Sequence, residues 1–88
     1  MEYVIAFKNT NQAIKAEHCL LEKGLSTGVM PLPPQIKAGC GICLRVGSNE
    51  IAIAISILAE AEIEGIALFS REDDAGRYTY TEVGTGAL

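Results

Sequence analysis

The chain has no tryptophan, two phenylalanines, three tyrosines and one histidine among its 88 residues. That histidine, His18, has no motif around it, so no Ser/His/Asp set can be argued. Basic residues are also scarce. Seven Lys and Arg stand against eleven Asp and Glu, a formal net charge of −4. They are spread without a run, which excludes the electrostatic footprint of a nucleic-acid binder. No apolar stretch approaches the ~20 residues that span a bilayer, so no membrane contact is expected. The first residues, Met1-Glu2-Tyr3, enter a strand-like run with no basic segment ahead of it, and no signal peptide is expected. Cysteines number three, an odd count that argues against a disulfide framework. The expected location is the cytoplasm, where thiols stay reduced. No phosphate-cradling glycine loop is present, Gly84 to Gly86 being too short.

What the chain does have is apolar content, at 49% of its residues. A domain this small cannot hide so much apolar surface alone, and a homodimer is the simplest partner. The domain is expected to span 1–83, with 84–88 as a flexible tail.

Tyr3-Val4-Ile5-Ala6-Phe7 reads as a central strand. Asn9 and Gln12 have capping-box spacing and open a helix that should run to Lys23 and stop at Gly24. Its apolar face carries Ala13, Ala16, Leu20 and Leu21. Gly28 to Leu32 is a weaker strand, placed at an edge by its proline. Ile42 to Val46 alternates as a third strand. Residues 51–57 alternate with period 2, as a strand would. Two features favour a helix over 50–62 instead: the alternate residues are mostly Ala, and the run is long for a strand. Ile53 and Ile57 would then lie on its flank as a contact surface. Gly65 to Phe69 is a fourth strand, Asp73 to Gly76 a turn and Arg77 to Val83 a fifth strand. The order predicts an α+β fold, a ferredoxin-like βαββαβ two-layer sandwich with an additional C-terminal strand or hairpin. Two helices would cover one sheet face and leave the other open.

The residues with chemistry gather around Cys40. Gly39 and Gly41 flank it and remove steric cover from the sulfur. Lys37 precedes it and Arg45 follows, and either favours a thiolate. The competing reading is a small apolar filler at a strand start. Cys40 and Cys43 form a C-x-x-C, but the motif runs into a strand and not a helix. If the strand begins at Cys40, pleating puts the two cysteines on opposite faces. Cys43 and Arg45 would then share the face away from the helices. His18, Cys19, Cys40 and Cys43 fall short of a zinc set within one chain. Cys19 reads as a core flank and His18 as a solvated helix position.

From Tyr3 to Arg45, and on to Gly65-Ile66, the chain resembles a small bacterial selenium/sulfur carrier-like family. The residues that carry the likeness are Tyr3 to Phe7, Thr10, Ala13, Leu20-Leu21 and Gly24. Pro31-Leu32-Pro33, Ile36, Cys40-Gly41 and Leu44-Arg45 continue it. Pro34 stands where such sequences often carry a basic residue, and Lys37-Ala38-Gly39 where they are often serine-rich. The resemblance implies that Cys40 is the family's marked cysteine and holds sulfur or selenium as a persulfide-type group. It implies a carrier or accessory protein with no cofactor and no metal, and not a stand-alone enzyme. Its partners would be a donor enzyme and an acceptor protein. The alternative is a non-catalytic dimeric binding or assembly module, in which Ile53, Ile57, Tyr78 and Tyr80 matter more than Cys40.

Overall fold

The computed structural model describes residues 1–87, which form five strands and two α-helices ending in a short 3-10 turn. They are β1 (Glu2–Ala6), α1 (Thr10–Glu22), β2 (Thr27–Pro31), β3 (Ile42–Gly47), α2 (Ile51–Glu60), β4 (Ala67–Asp74) and β5 (Arg77–Val83). The strands make one antiparallel sheet in the order β2-β3-β1-β4-β5. The fold is α+β, but the ferredoxin-like βαββαβ sandwich with an appended strand is corrected. The order is βαββαββ, and β5 is a full member of the one sheet. The turn is expected from Asp73 to Gly76, but β4 runs on through Asp74. It keeps the strand alternation and pairs with β5 from Leu68↔Val83 to Asp74↔Arg77. The turn shrinks to Ala75-Gly76, both at positive φ (54° and 83°), as a tight two-residue hairpin requires.

Both helices are set by their ends. The Asn9 side chain accepts the Gln12 N–H at 2.9 Å and caps α1. At the other end Gly24 turns left-handed at φ +81°, and the Leu25 N–H donates to Leu20 O. The end of α2 repeats the motif with Glu62 at φ 60° and Ile63 N–H on Leu58 O. In each case the next residue, Leu25 or Ile63, is buried and ties the helix end to the core. The Ala-rich run from Ile51 is a helix. The helical repeat places Ile51, Ala54 and Leu58 on one buried stripe. Ile53 is left exposed, and Ile57 is half-buried against the core.

Helix propensity and packing differ at Leu21. It was expected in the α1 core stripe and is 50% exposed. Ala13, Ala16 and Leu20 fill that stripe, and Leu21 is rotated about 100° from Leu20. The main core joins these residues to Ile5, Phe7, Leu44, Val46 and Leu68. The 84–88 segment forms a 3-10 turn over Thr85–Ala87, and Leu88 lies outside the described residues.

The face away from the helices is not open. Val4, Ala6, Ile36 and Cys43 form a second buried cluster there. Ile36 reaches it from the loop after β2, closed by the Ile36 N–H to Pro33 O bond. Met30, Leu32, Phe69 and Tyr80 pack around it. Beside this cluster Glu2 bridges two arginines. Arg45 lies at 2.9 Å on one carboxylate oxygen, and Arg71 bonds the other. The Arg71 side chain is only 11% exposed and stacks on Tyr78, 4.2 Å from the ring centroid. Hydrogen bonds from Arg71, then Arg45, hold the Glu2 carboxyl below its ordinary range. A carboxyl lowered by folding stabilises the native state above its unfolded value and loses that contribution as pH falls through the folded one. Glu2→Gln should therefore cost about 1 kcal/mol at neutral pH, as its partial exposure limits the pair. The difference from wild type should vanish in denaturant titrations carried well below pH 4. A gap of the same size at all pH values would show that the ion bridge contributes nothing.

Candidate functional site

The sheet register decides what surrounds Cys40. In β1, Ala6 pairs with Cys43 on one side and with Ala67 on the other. The end of β1 therefore meets the starts of both β3 and β4. The chain leaves β1 through Lys8-Asn9 and enters α1 at Thr10, directly beside the segment that leads into β3. This places the Cys40 sulfur 3.8 Å from the Thr10 hydroxyl. The Ile42 backbone N–H donates to the same sulfur at 3.4 Å. Cys40 is only 2% exposed and belongs to the helix-side core, while its neighbours Gly39 and Gly41 are exposed.

Cys43 lies on the opposite face, as pleating requires, at 0% exposure. Its thiol faces Pro31 O at 3.9 Å. Burial pushes that thiol up to about 11, against a partial pull from the Arg71 charge. The two cysteines are thus separated by the β3 backbone, and all three cysteines are unpaired. Cys19 is half-buried on the flank of the core. His18 is solvated and pairs with Glu22 at 2.5 Å. Among the described residues no group of three or more His, Cys, Asp and Glu side chains stands together as a metal site.

The other residues singled out around Cys40 are placed as follows. Arg45 is not with the thiol. It lies on the far face, bound to Glu2. Lys37 is exposed on the Cys40 loop and, among the described residues, makes no ion pair. Gly41 faces open space. Gly39 has a different reason from access to sulfur: a Cβ there would meet the Lys8 carbonyl oxygen at 2.3 Å. Gly65, at φ +71°, makes the same kind of room for the Lys8 side chain, whose Cε would meet a Cβ at 2.0 Å. Lys8 therefore lies between glycines of the two segments that lead into β3 and β4. Neither Lys8 nor Thr10 carries a local signal that marks it, because both arrive through the strand order.

The chain matches the family described as Putative Se/S carrier protein-like over residues 2–70. It belongs to that family. No curated protein and no solved structure matches it. The span matched to the Se/S carrier-like family holds all three cysteines and ends within β4, so β5 lies beyond it.

In this Se/S carrier-like protein the two C-x-x-C thiols have different fates. Cys40 sits in a loop between two exposed glycines, and Cys43 is locked in the β3 ladder. With iodoacetamide at pH 8, Cys40 should be alkylated well before Cys43, whose rate should approach that of global unfolding. Peptide mapping by mass spectrometry reads the order. Equal rates at the two sites would show that the Cys40 loop does not open on its own.

Proposed function

We propose that the protein carries sulfur or selenium on the Cys40 thiol. The observation that supports this most directly is the setting of the sulfur. It receives the Ile42 N–H and lies against Thr10, the first residue of a 13-residue helix. Backbone N–H groups and the positive end of a helix both favour a negative charge, and the loaded form is an anion. Family membership points the same way. Burial of the sulfur suits a carrier, since a sheltered persulfide is kept from stray thiols and water.

The loading step needs no cofactor. The Cys40 thiolate attacks the outer sulfur of a donor persulfide. A bond forms between the two sulfurs, and the donor's own S–S bond breaks. The electron pair leaves on the donor thiolate. Unloading is the same step with an acceptor thiol as nucleophile. The role therefore calls for a donor enzyme and an acceptor protein. It also calls for a reducing compartment such as the cytoplasm. Among the described residues no helix is long and apolar enough to cross a membrane. Cys40→Ser should abolish loading by an organic persulfide, read as the mass of one sulfur on the intact chain, with an unchanged unfolding midpoint. Loading retained in that variant would reject the proposal.

A homodimer is supported by a separate observation. Ile14 and Leu21, two turns apart on α1, are exposed, and so is Val29 on the sheet-edge strand β2. Val29 pairs with Leu44 of the helix-side core and so lies on the same face of the sheet as α1. An edge strand with free backbone groups beside apolar side chains is a template for a second copy. Sedimentation should show a dimer that Leu21→Glu converts to a folded monomer. A wild-type protein that stays monomeric at high concentration would exclude self-association through this edge.

A further inference from the structure

Next to the Cys40 loop lies a cavity of about 230 Å³ between the end of β1, the start of β4 and residues 37–39. Two cationic residues line it, Lys8 and Lys37, and the rest of its wall comes from Phe7, three alanines and two glycines. No carboxylate lines it, and among the described residues neither lysine forms an ion pair. In a chain of net charge −4 this is a local concentration of unneutralised positive charge. Lys8 is held in place: its carbonyl abuts Gly39 and its stem fills the space left by Gly65. The backbone adds to the charge. Among the described residues, the N–H groups of Lys37, Ala38, Gly39 and Cys40 donate no hydrogen bond within the chain. Four successive free N–H groups at a wall shared with two lysines are the elements of an anion receptor.

We infer that this cavity is an oxyanion subsite, which takes the oxyanion end of a small dianionic sulfur donor of the thiosulfate type. The inference rests on the carrier reading of Cys40 and names the class of donor. Two cations match the two charges of the donor, and the volume admits a small tetrahedral group but no large cofactor. Gly39, in the cavity wall, adjoins Cys40 in the chain, so an anion held there stands beside the loop that must open to present the thiol. In the step, the Cys40 thiolate attacks the outer sulfur of thiosulfate. A bond forms between Cys40 Sγ and that sulfur, and the S–S bond to the oxyanion breaks. Sulfite leaves with the electron pair, and charge balances at three negative on each side.

Binding is tested apart from transfer in the Cys40→Ser full-length chain, titrated with sulfate and thiosulfate and followed by amide chemical shifts. Saturable shifts at residues 37–41 are expected. Lys8→Met, which keeps the stem that packs on Gly65, combined with Lys37→Ala should weaken them about tenfold. Absence of saturable shifts, or shifts unchanged in the double variant, would overturn the subsite. Loading is then compared in the chain with Cys40 intact, using thiosulfate and an organic persulfide that carries no oxyanion group. The double variant should lose about tenfold more rate with thiosulfate than with the organic persulfide. Loading by the organic persulfide alone, with none from thiosulfate, overturns the donor assignment and leaves the carrier reading standing. Loading by neither donor overturns both.

Discussion

Everything near the thiol depends on the register of β1 against its two neighbours. Because Ala6 is opposite both Cys43 and Ala67, the end of β1 meets two strand starts at one level. Three chain segments then converge on Lys8: its carbonyl leaves no room for a side chain at Gly39, and its own side chain lies in the space beside Gly65. A one-residue slip would turn Ile5 and Phe7 out of the helix-side core and Val4 and Ala6 into it, so burial on both faces fixes the register. The same register carries the first turn of α1 over the segment that enters β3. The contact between Thr10 and Cys40 is therefore a consequence of strand pairing, made between residues 30 positions apart.

That origin explains what could be read in advance and what could not. Local patterns marked the elements well: Asn9 with Gln12 for the start of α1, Gly24 for its end, and the alanines of 51–60 against their misleading alternation. Patterning also separated Cys40 from Cys43, because side chains alternate across a strand. The failures are of one kind. Arg45 was near Cys40 in sequence and proved to serve Glu2 on the other face. The fourth strand was expected to end at Phe69, yet β4 continues through Arg71, which is nearly buried between a carboxylate and an aromatic ring. The face without helices looked open because the loop that covers it, with Ile36, has no periodicity to announce its path. In each case a partner distant in sequence overrode a local signal. The approach of Lys8 to Gly39 and of Thr10 to Cys40 has no local signal for the same reason.

Gly39 shows how a correct feature can have another cause. Its position beside the thiol suggested exposure of the sulfur, and the sulfur is covered. The glycine is required by the carbonyl of Lys8, which approaches too closely for any side chain. Access to Cys40 must then come from motion of the loop. Hydrogen bonds that tie it down are few: the Leu32 N–H to Gly41 O bond holds one end, and the turn at Ile36 anchors the other. Between those anchors only the Cys40 side chain itself is buried.

A thiol that is the sole buried side chain of an otherwise exposed stretch has two states with different chemistry. Inward, it rests against Thr10 and the Ile42 N–H, sheltered from solvent. Outward, it would stand among the free N–H groups of residues 37–40 and the charge of Lys37. Cys43 has no such choice, since its burial comes with the hydrogen-bonded ladder of β3 on both sides. Burial alone therefore does not make two cysteines equivalent. What separates them is the free energy of exposing each, which is that of a short loop for one and of the central sheet for the other. A carrier needs the first kind: a site closed enough to protect its cargo and cheap enough to open for exchange.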